Sequence, residues 1–485
     1  MSENIRNKII NGVGWSFADN LFNQGITFLV GLVLARLLTP EEYGLIGIIL
    51  IFVAVFNSII DSGFSSALIR KKDVKEEDYN TVFITNMCVS LVLFLVMFLS
   101  APSIAHFFSQ PQLVPLTKVM SSVLIINAFA LIQRTILVKN VDFKTQTKVS
   151  VIASLVSCTV GVGMALAGLG VWSLVGQQLS RQFLNSALLW VWAKWYPRIQ
   201  FSFASFKELF GFGWKMLVSG LIDTVWKEIY QIVIGKCYST QTLGQYTRAH
   251  QFGSIFSSNL TNIVQRVSYP VLSKLQDDKE RLKAGYQKVI KVTMLVTFCC
   301  MLGLAAIAKP MIITLIGNRW LPAVPFLQVI CLQMMLYPLH SINLNMLQVQ
   351  CRSDLFLKLE IVKKIVAIGP LLLGIFVNIY WMLLGSVLTG FIAYYLNAYY
   401  SGRFINYPIR EQISDILPSF CVAFVMAITV YAMSFINIAP LLLLILQIAA
   451  GSVITMALCE ITQLESYIEL KNILLYYIKK STNGQ

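Results

Sequence analysis

The chain has 485 residues, of which 56% are hydrophobic and only 13% charged, with a formal net charge of +15. Its mean hydropathy is +0.70. A soluble domain carries about 25% charged residues, so an ordinary soluble enzyme, a disordered chain and a nucleic-acid-binding module are excluded. What is expected is an all-α polytopic membrane protein, because helices satisfy their own backbone hydrogen bonds in hydrocarbon.

Apolar runs of spanning length predict helices near 13–36, 44–66, 81–101, 114–133, 147–168, 171–193, 209–235, 248–272, 289–308, 323–347, 359–378, 381–400, 413–435 and 438–459. That is about fourteen crossings. The short polar stretch 1–12 lacks the pattern of a cleaved signal. The span 248–272 is the most polar, with His250, Gln251, Asn259, Asn262, Gln265 and Arg266. A re-entrant or surface helix is its competing reading.

Alternation from a cytoplasmic N-terminus puts 28 of the 38 basic residues in the cytoplasmic loops and adjoining span ends, and 3 in the outer loops. The positive-inside rule favours that assignment. It also supports 248–272 as a span, because omitting it moves the six cations of 274–291 outside. Both termini are then cytoplasmic. The tail 461–485 reads as an interfacial helix.

Residues 13–46 and 212–246 resemble one another. Gly14-Trp15 matches Gly213-Trp214, and Glu42-Tyr43-Gly44 matches Leu243-Gly244-Gln245-Tyr246. An offset of about 200 residues, six spans, makes a parallel repeat of the kind found in two-lobed transporters. The expected plan is two pseudo-symmetric six-helix lobes, 1–200 and 201–405, followed by two extra helices in 406–460.

Charges inside a bilayer are costly and mark cavities, pairs or pathways. The first span carries Asp19, Asn23 and Gln24, and the sixth Gln178 and Arg181. The seventh carries Lys215, Asp223, Lys227 and Glu228, the eighth Arg248, His250 and Arg266, and the tenth His340 and Asn343. A cleft lined by these groups is net cationic and suits an anionic headgroup, because Arg grips phosphate bidentately and Lys acts as a point charge. Asp19, with no nearby cation in its own helix to neutralise it, is a candidate for H⁺ or Na⁺ coupling. Competing readings stand beside these. Lys215, Arg248 and Arg266 lie near span ends, where they can snorkel to headgroups. Asp223 and Lys227, at i and i+4, can form a structural ion pair.

Nothing points to catalysis, a metal or a cofactor. The nine cysteines form no C-x-x-C pair, and the three histidines have no ligand spacing. No G-x-x-x-x-G-K-[ST] motif occurs. A membrane glycosyltransferase or polymerase would need paired acids and a sizeable outer loop. A cationic-drug antiporter would need an acidic, aromatic cavity.

Four segments carry a family resemblance: Asp61 to Asp73, Gly170 to Gln178, Tyr269 through Tyr286, and Gly317 to Pro325. Together they resemble the Wzx-like lipopolysaccharide and polysaccharide flippases of the multidrug/oligosaccharidyl-lipid/polysaccharide exporter superfamily. The resemblance implies two lobes that alternate access. Its implied substrate is undecaprenyl-pyrophosphate carrying an oligosaccharide repeat unit, for O-antigen, capsule or exopolysaccharide. It implies that cavity cations such as Lys215, Lys227, Arg248 and Arg266 hold the pyrophosphate. It further implies membrane lipids, a coupling ion, and a polysaccharide polymerase and chain-length protein as partners. Asp61 and Trp320 are expected to be structural, Trp320 as an anchor at an outer interfacial turn.

Overall fold

The structure, a computed structural model, describes residues 22–61, 63–275, 278–350 and 352–472, whose regular elements are all helices, with no strand among them. The predicted apolar segments fall on helices where they are described, but 44–66, 114–133, 323–347 and 359–378 are each divided between two, and residues 13–21 of the first lie outside the described residues. The first helix is described as α1 (Phe22–Leu37). It is followed by α2 (Pro40–Asp61), α3 (Phe64–Arg70), α4 (Glu76–Phe108), α5 (Leu113–Met120), α6 (Ser122–Lys139), α7 (Phe143–Leu166), α8 (Trp172–Ala193) and α9 (Phe203–Cys237). Then come α10 (Thr240–Lys274), α11 (Lys279–Ala306), α12 (Ala308–Ile316), α13 (Ala323–Met334), α14 (Tyr337–Val349) and α15 (Ser353–Val366). The last are α16 (Ile368–Phe376), α17 (Ile379–Phe404), α18 (Ile409–Ala432) and α19 (Pro440–Ile461). Nine helical segments among the described residues are long and apolar enough to cross a membrane. The protein is therefore an all-α polytopic membrane protein. Exposed Leu99, Phe376, Val453 and Met456 are the side chains such helices turn to lipid.

Local chemistry sets the helix ends. At α2, the Thr39 N–H donates to Glu42 Oε2 at 2.7 Å and the Glu42 N–H to Thr39 Oγ1 at 3.4 Å. This is a capping box, with Pro at the first helical position, where its missing N–H costs nothing. At α10, Ser239 Oγ accepts from the Thr242 N–H at 3.1 Å. Asp142, Ser202, Asp278 and Asn378 cap α7, α9, α11 and α17 in the same way. Gly63, at φ 66°, separates α2 from α3 inside what the sequence reads as one span. A Cβ there would lie 2.5 Å from the Gly213 carbonyl oxygen, so both conformation and space require glycine.

The helices cluster into two compact units, one up to Gly244 and one from Gln245 on. In the first, α2 packs on α4, α6 and α9, and α8 on α6 and α7. In the second, α11 packs on α13, α14 and α18, and α17 on α13, α14 and α16. The tail from 465 to 472 is helical and docks on its own unit. Lys291 on α11 bridges Asp415 (3.2 Å) and Glu465 (2.8 Å), and Lys288 meets Glu469 at 2.8 Å. Residues 473–485, including Lys479 and Lys480, lie outside the described residues.

Trp320 ends a 3-10 turn, Asn318–Trp320, between α12 and α13, and its side chain is fully buried. The Arg248 guanidinium lies 5.8 Å from its ring centroid, a cation–π contact.

Candidate functional site

A cavity of about 410 Å³ opens within the first unit, where the ends of α2 and α6 meet α3 and α8. Asn57, Asp61, Ser65, Asn127, Arg134, Thr135 and Gln182 supply its polar groups, and Ile60, Ile69, Leu131 and Val138 its apolar wall. Ser65 Oγ donates to Asp61 Oδ1 at 2.6 Å, across the α2–α3 break. Asn127 Nδ2 donates to Asn57 Oδ1 at 3.0 Å, tying α6 to α2. Among the described residues the lining carries one carboxylate, Asp61, and one guanidinium, Arg134. Asp61 of this set was expected from sequence to be structural. Asn57, Asn127 and Arg134 gave no local signal, because their convergence depends on helix packing.

The floor beneath the cavity is braced. Lys139 Nζ donates to the Leu68 and Lys71 carbonyls (3.0 and 2.6 Å), satisfying the end of α3. Lys71 meets Asp78 and Glu208, each at 3.0 Å. Burial pulls the Lys71 pKa down, but hydrogen bonds and charge from Glu208 and Asp78 outweigh it and hold the ammonium above its usual range.

The residues predicted from sequence are distributed as follows. Asp19 lies outside the described residues. Asn23 is half-buried and joins α1 to α7, donating to Ser150 Oγ (2.9 Å) and accepting from Ser154 Oγ (2.7 Å). Gln24 is half-buried on α1, and Gln178 and Arg181 are half-buried on α8, one turn or less from cavity-lining Gln182. On α9, Lys215 is exposed. Asp223 and Lys227 pair at 2.7 Å while both remain largely exposed. Half-buried Glu228 accepts from Gln231 Nε2.

In the second unit, Arg248 is buried and donates to Gln251 Oε1 at 2.6 Å. His250 is half-buried, its ring 5.9 Å from that of Tyr246. Arg266 belongs to α10, but its side chain lies outside the description. His340 Nδ1 lies 3.4 Å from Asn397 Nδ2. Asn343 is fully buried, not open to a cavity. It accepts from Tyr286 Oη at 2.9 Å and from Ser401 Oγ, and donates to the Leu339 carbonyl at 2.9 Å. Its polarity is thus consumed in joining α11, α14 and α17. No cluster of three potential metal ligands occurs among the described residues.

The fold and sequence have known counterparts. The structure superposes on the lipid II flippase MurJ in an inward closed conformation with a TM-score of 0.72, at 16% identity, covering 93% of this chain and 98% of that one. An inward-facing multidrug resistance MATE family transporter gives 0.61, also at 16% identity, over 80% of this chain and 94% of the other. At such identities the likeness establishes the fold. In sequence, the chain is 26% identical to the succinoglycan biosynthesis transport protein ExoT of Rhizobium meliloti over 67% of this chain and 66% of the relative. It is 26% identical to the teichuronic acid biosynthesis protein TuaB of Bacillus subtilis over 72% and 73%. It is 23% identical to the lipopolysaccharide biosynthesis protein WzxC of Escherichia coli over 76% of each.

The fold class is that of a multi-pass, all-helical membrane protein shared with MurJ and MATE transporters. Residues 33–325, more than half the chain, match the polysaccharide biosynthesis protein family, and the chain belongs to it.

Proposed function

We infer that the chain is a flippase that translocates lipid-linked oligosaccharide repeat units across the bacterial inner membrane, for O-antigen, capsule or exopolysaccharide synthesis. The carrying observation is its membership of the polysaccharide biosynthesis family over 33–325, joined to polar and charged side chains within apolar helices. Such side chains are retained in a bilayer where they line a path. Translocation needs no catalytic group, and the protein acts as a carrier, not an enzyme.

The carried lipid is undecaprenyl-pyrophosphate, moved by alternating access through fourteen crossings arranged as two six-helix lobes (1–200 and 201–405) and two extra helices. Both termini are cytoplasmic, as the loop cations favour. Lys215, Lys227, Arg248, Arg266 and Arg181, with His250 and His340, hold the pyrophosphate. Asp19, Asn23, Gln24, Gln178, Asp223 and Glu228 form the polar path, and Asn343 supports it from within its helix junction. An H⁺ or Na⁺ gradient couples the cycle at Asp19, and a polymerase with its chain-length partner consumes the product.

Deleting the gene in its native strain tests the core of this reading. Surface polysaccharide should fall, and undecaprenyl-linked repeat units should accumulate on the cytoplasmic leaflet, with both restored by the wild-type gene. Unchanged polysaccharide and no accumulated intermediate would remove the assignment.

A further inference from the structure

The cavity of the first unit has a composition that neither a pyrophosphate site nor a cation site requires. A pyrophosphate would meet the Asp61 carboxylate, and a metal cation would meet the Arg134 guanidinium. With one charge of each sign among the described lining residues, the space favours a neutral occupant that both donates and accepts hydrogen bonds. We propose that this cavity is a glycosyl-binding subsite, which takes one neutral sugar ring of the lipid-linked oligosaccharide. The proposal rests on the flippase reading above.

The hydrogen-bond inventory supports it. The Asn127–Asn57 bond uses Asn127 Nδ2 and Asn57 Oδ1, which leaves the Asn57 amide hydrogens to donate and Asn127 Oδ1 to accept. Asp61 Oδ1 is taken by Ser65, leaving Oδ2 for a ligand hydroxyl. The Gln182 amide adds one donor group and one acceptor on the facing helix. Adjacent sugar hydroxyls each donate and accept, and a carboxylate beside amides matches such pairs. The apolar side chains opposite suit the C–H face of a pyranose.

Size agrees. The 410 Å³ lies in the roughly 300–1,000 Å³ range of small-molecule sites. At roughly 30 Å³ per water it holds on the order of a dozen waters, and a hexose has about as many heavy atoms. The cavity is also built rather than incidental. Its walls are locked by the Asn57–Asn127 and Asp61–Ser65 bonds, and its floor by Lys139 and Lys71. A preorganised polar surface binds without first having to order itself.

The test uses the full chain in lipid nanodiscs with methyl α-glucoside, methyl α-galactoside and methyl α-mannoside, read by saturation-transfer difference NMR. At least one glycoside should receive saturation at its ring protons. Gln182→Leu and Asn57→Leu should each reduce that transfer roughly fivefold or more, as expected for loss of a ligand hydrogen bond. Asp61→Asn, which preserves shape, should reduce it while the protein stays monodisperse. Inorganic pyrophosphate binding should not change in any variant. No transfer to any glycoside, or transfer unchanged by all three substitutions, overturns the subsite. Loss of pyrophosphate or Na⁺ binding in the same variants also overturns it, by assigning the cavity to an ion. Failure of the flippase reading shows separately, as unchanged polysaccharide in the deletion strain.

Discussion

Gly44 and Gly244, 200 residues apart in sequence, hold the first turns of α2 and α10 backbone to backbone. A Cβ on Gly44 would lie 1.8 Å from the Thr240 carbonyl oxygen, and one on Gly244 would lie 1.8 Å from the Pro40 carbonyl oxygen. The contact is reciprocal, and its flanks correspond too. Thr39 and Ser239 each accept a backbone N–H three residues on. The internal similarity read from sequence thus has a shared local geometry at this turn.

Gly44→Ala and Gly244→Ala should each force the two turns apart. Overpacking of this kind costs about 1–3 kcal/mol. The double variant should lose less than the sum, because either methyl already opens the contact. Thermal unfolding followed by size-exclusion chromatography measures this. Wild-type stability in either single variant would show that the turns separate freely.

Lys227 and Asp223 pair at 2.7 Å but remain 72% and 56% exposed. Exposed pairs contribute about 0–1 kcal/mol, so Lys227→Ala should leave thermal stability nearly unchanged. If Lys227 holds an anionic headgroup, surface polysaccharide should fall at equal protein level. Unchanged export with lowered stability would make the pair structural instead.

Asn343 accepts from both Tyr286 and Ser401. Tyr286→Phe should cost about 1 kcal/mol, one hydrogen bond. Asn343→Leu should cost more, because the buried Tyr286 hydroxyl then lacks its acceptor, at about 1–3 kcal/mol, and Ser401 keeps only its 3.4 Å bond to the Ala398 carbonyl. Equal losses in denaturation midpoint would argue against this shared junction.

Asp78 is buried against Lys71. Asp78→Ala should destabilise by up to about 3 kcal/mol, the lower end for breaking a buried pair. The Lys71 pKa is raised on folding. Its stabilisation is therefore complete below the unfolded lysine value and is lost as pH rises through the folded one. A stability profile over the alkaline range should show this loss in wild type and not in Lys71→Met.

Helix positions were legible because a spanning segment must be continuously apolar, and that requirement is written locally. The breaks at Gly63, at 121 and between α13 and α14 were not, because hydropathy averages across them. The site was legible in part. The Asp223–Lys227 pair follows from helical spacing alone. Asn343 reads in sequence as a path residue, yet its partners Tyr286 and Ser401 lie 57 and 58 residues away.

The low charge and long apolar runs, by themselves, determined a helical membrane protein. They also set the distribution of its basic residues along the chain, since bilayer insertion acts on composition segment by segment. Only tertiary structure decided how the leftover polar groups are used. It buried Trp320 beneath Arg248, bound Asn23 to α7, and gathered Asn57, Asp61, Asn127 and Gln182 around one cavity. A hydrogen bond acts over about 3 Å, so its partners are chosen by packing and not by sequence spacing. The few charges that topology leaves unexplained acquire meaning only there.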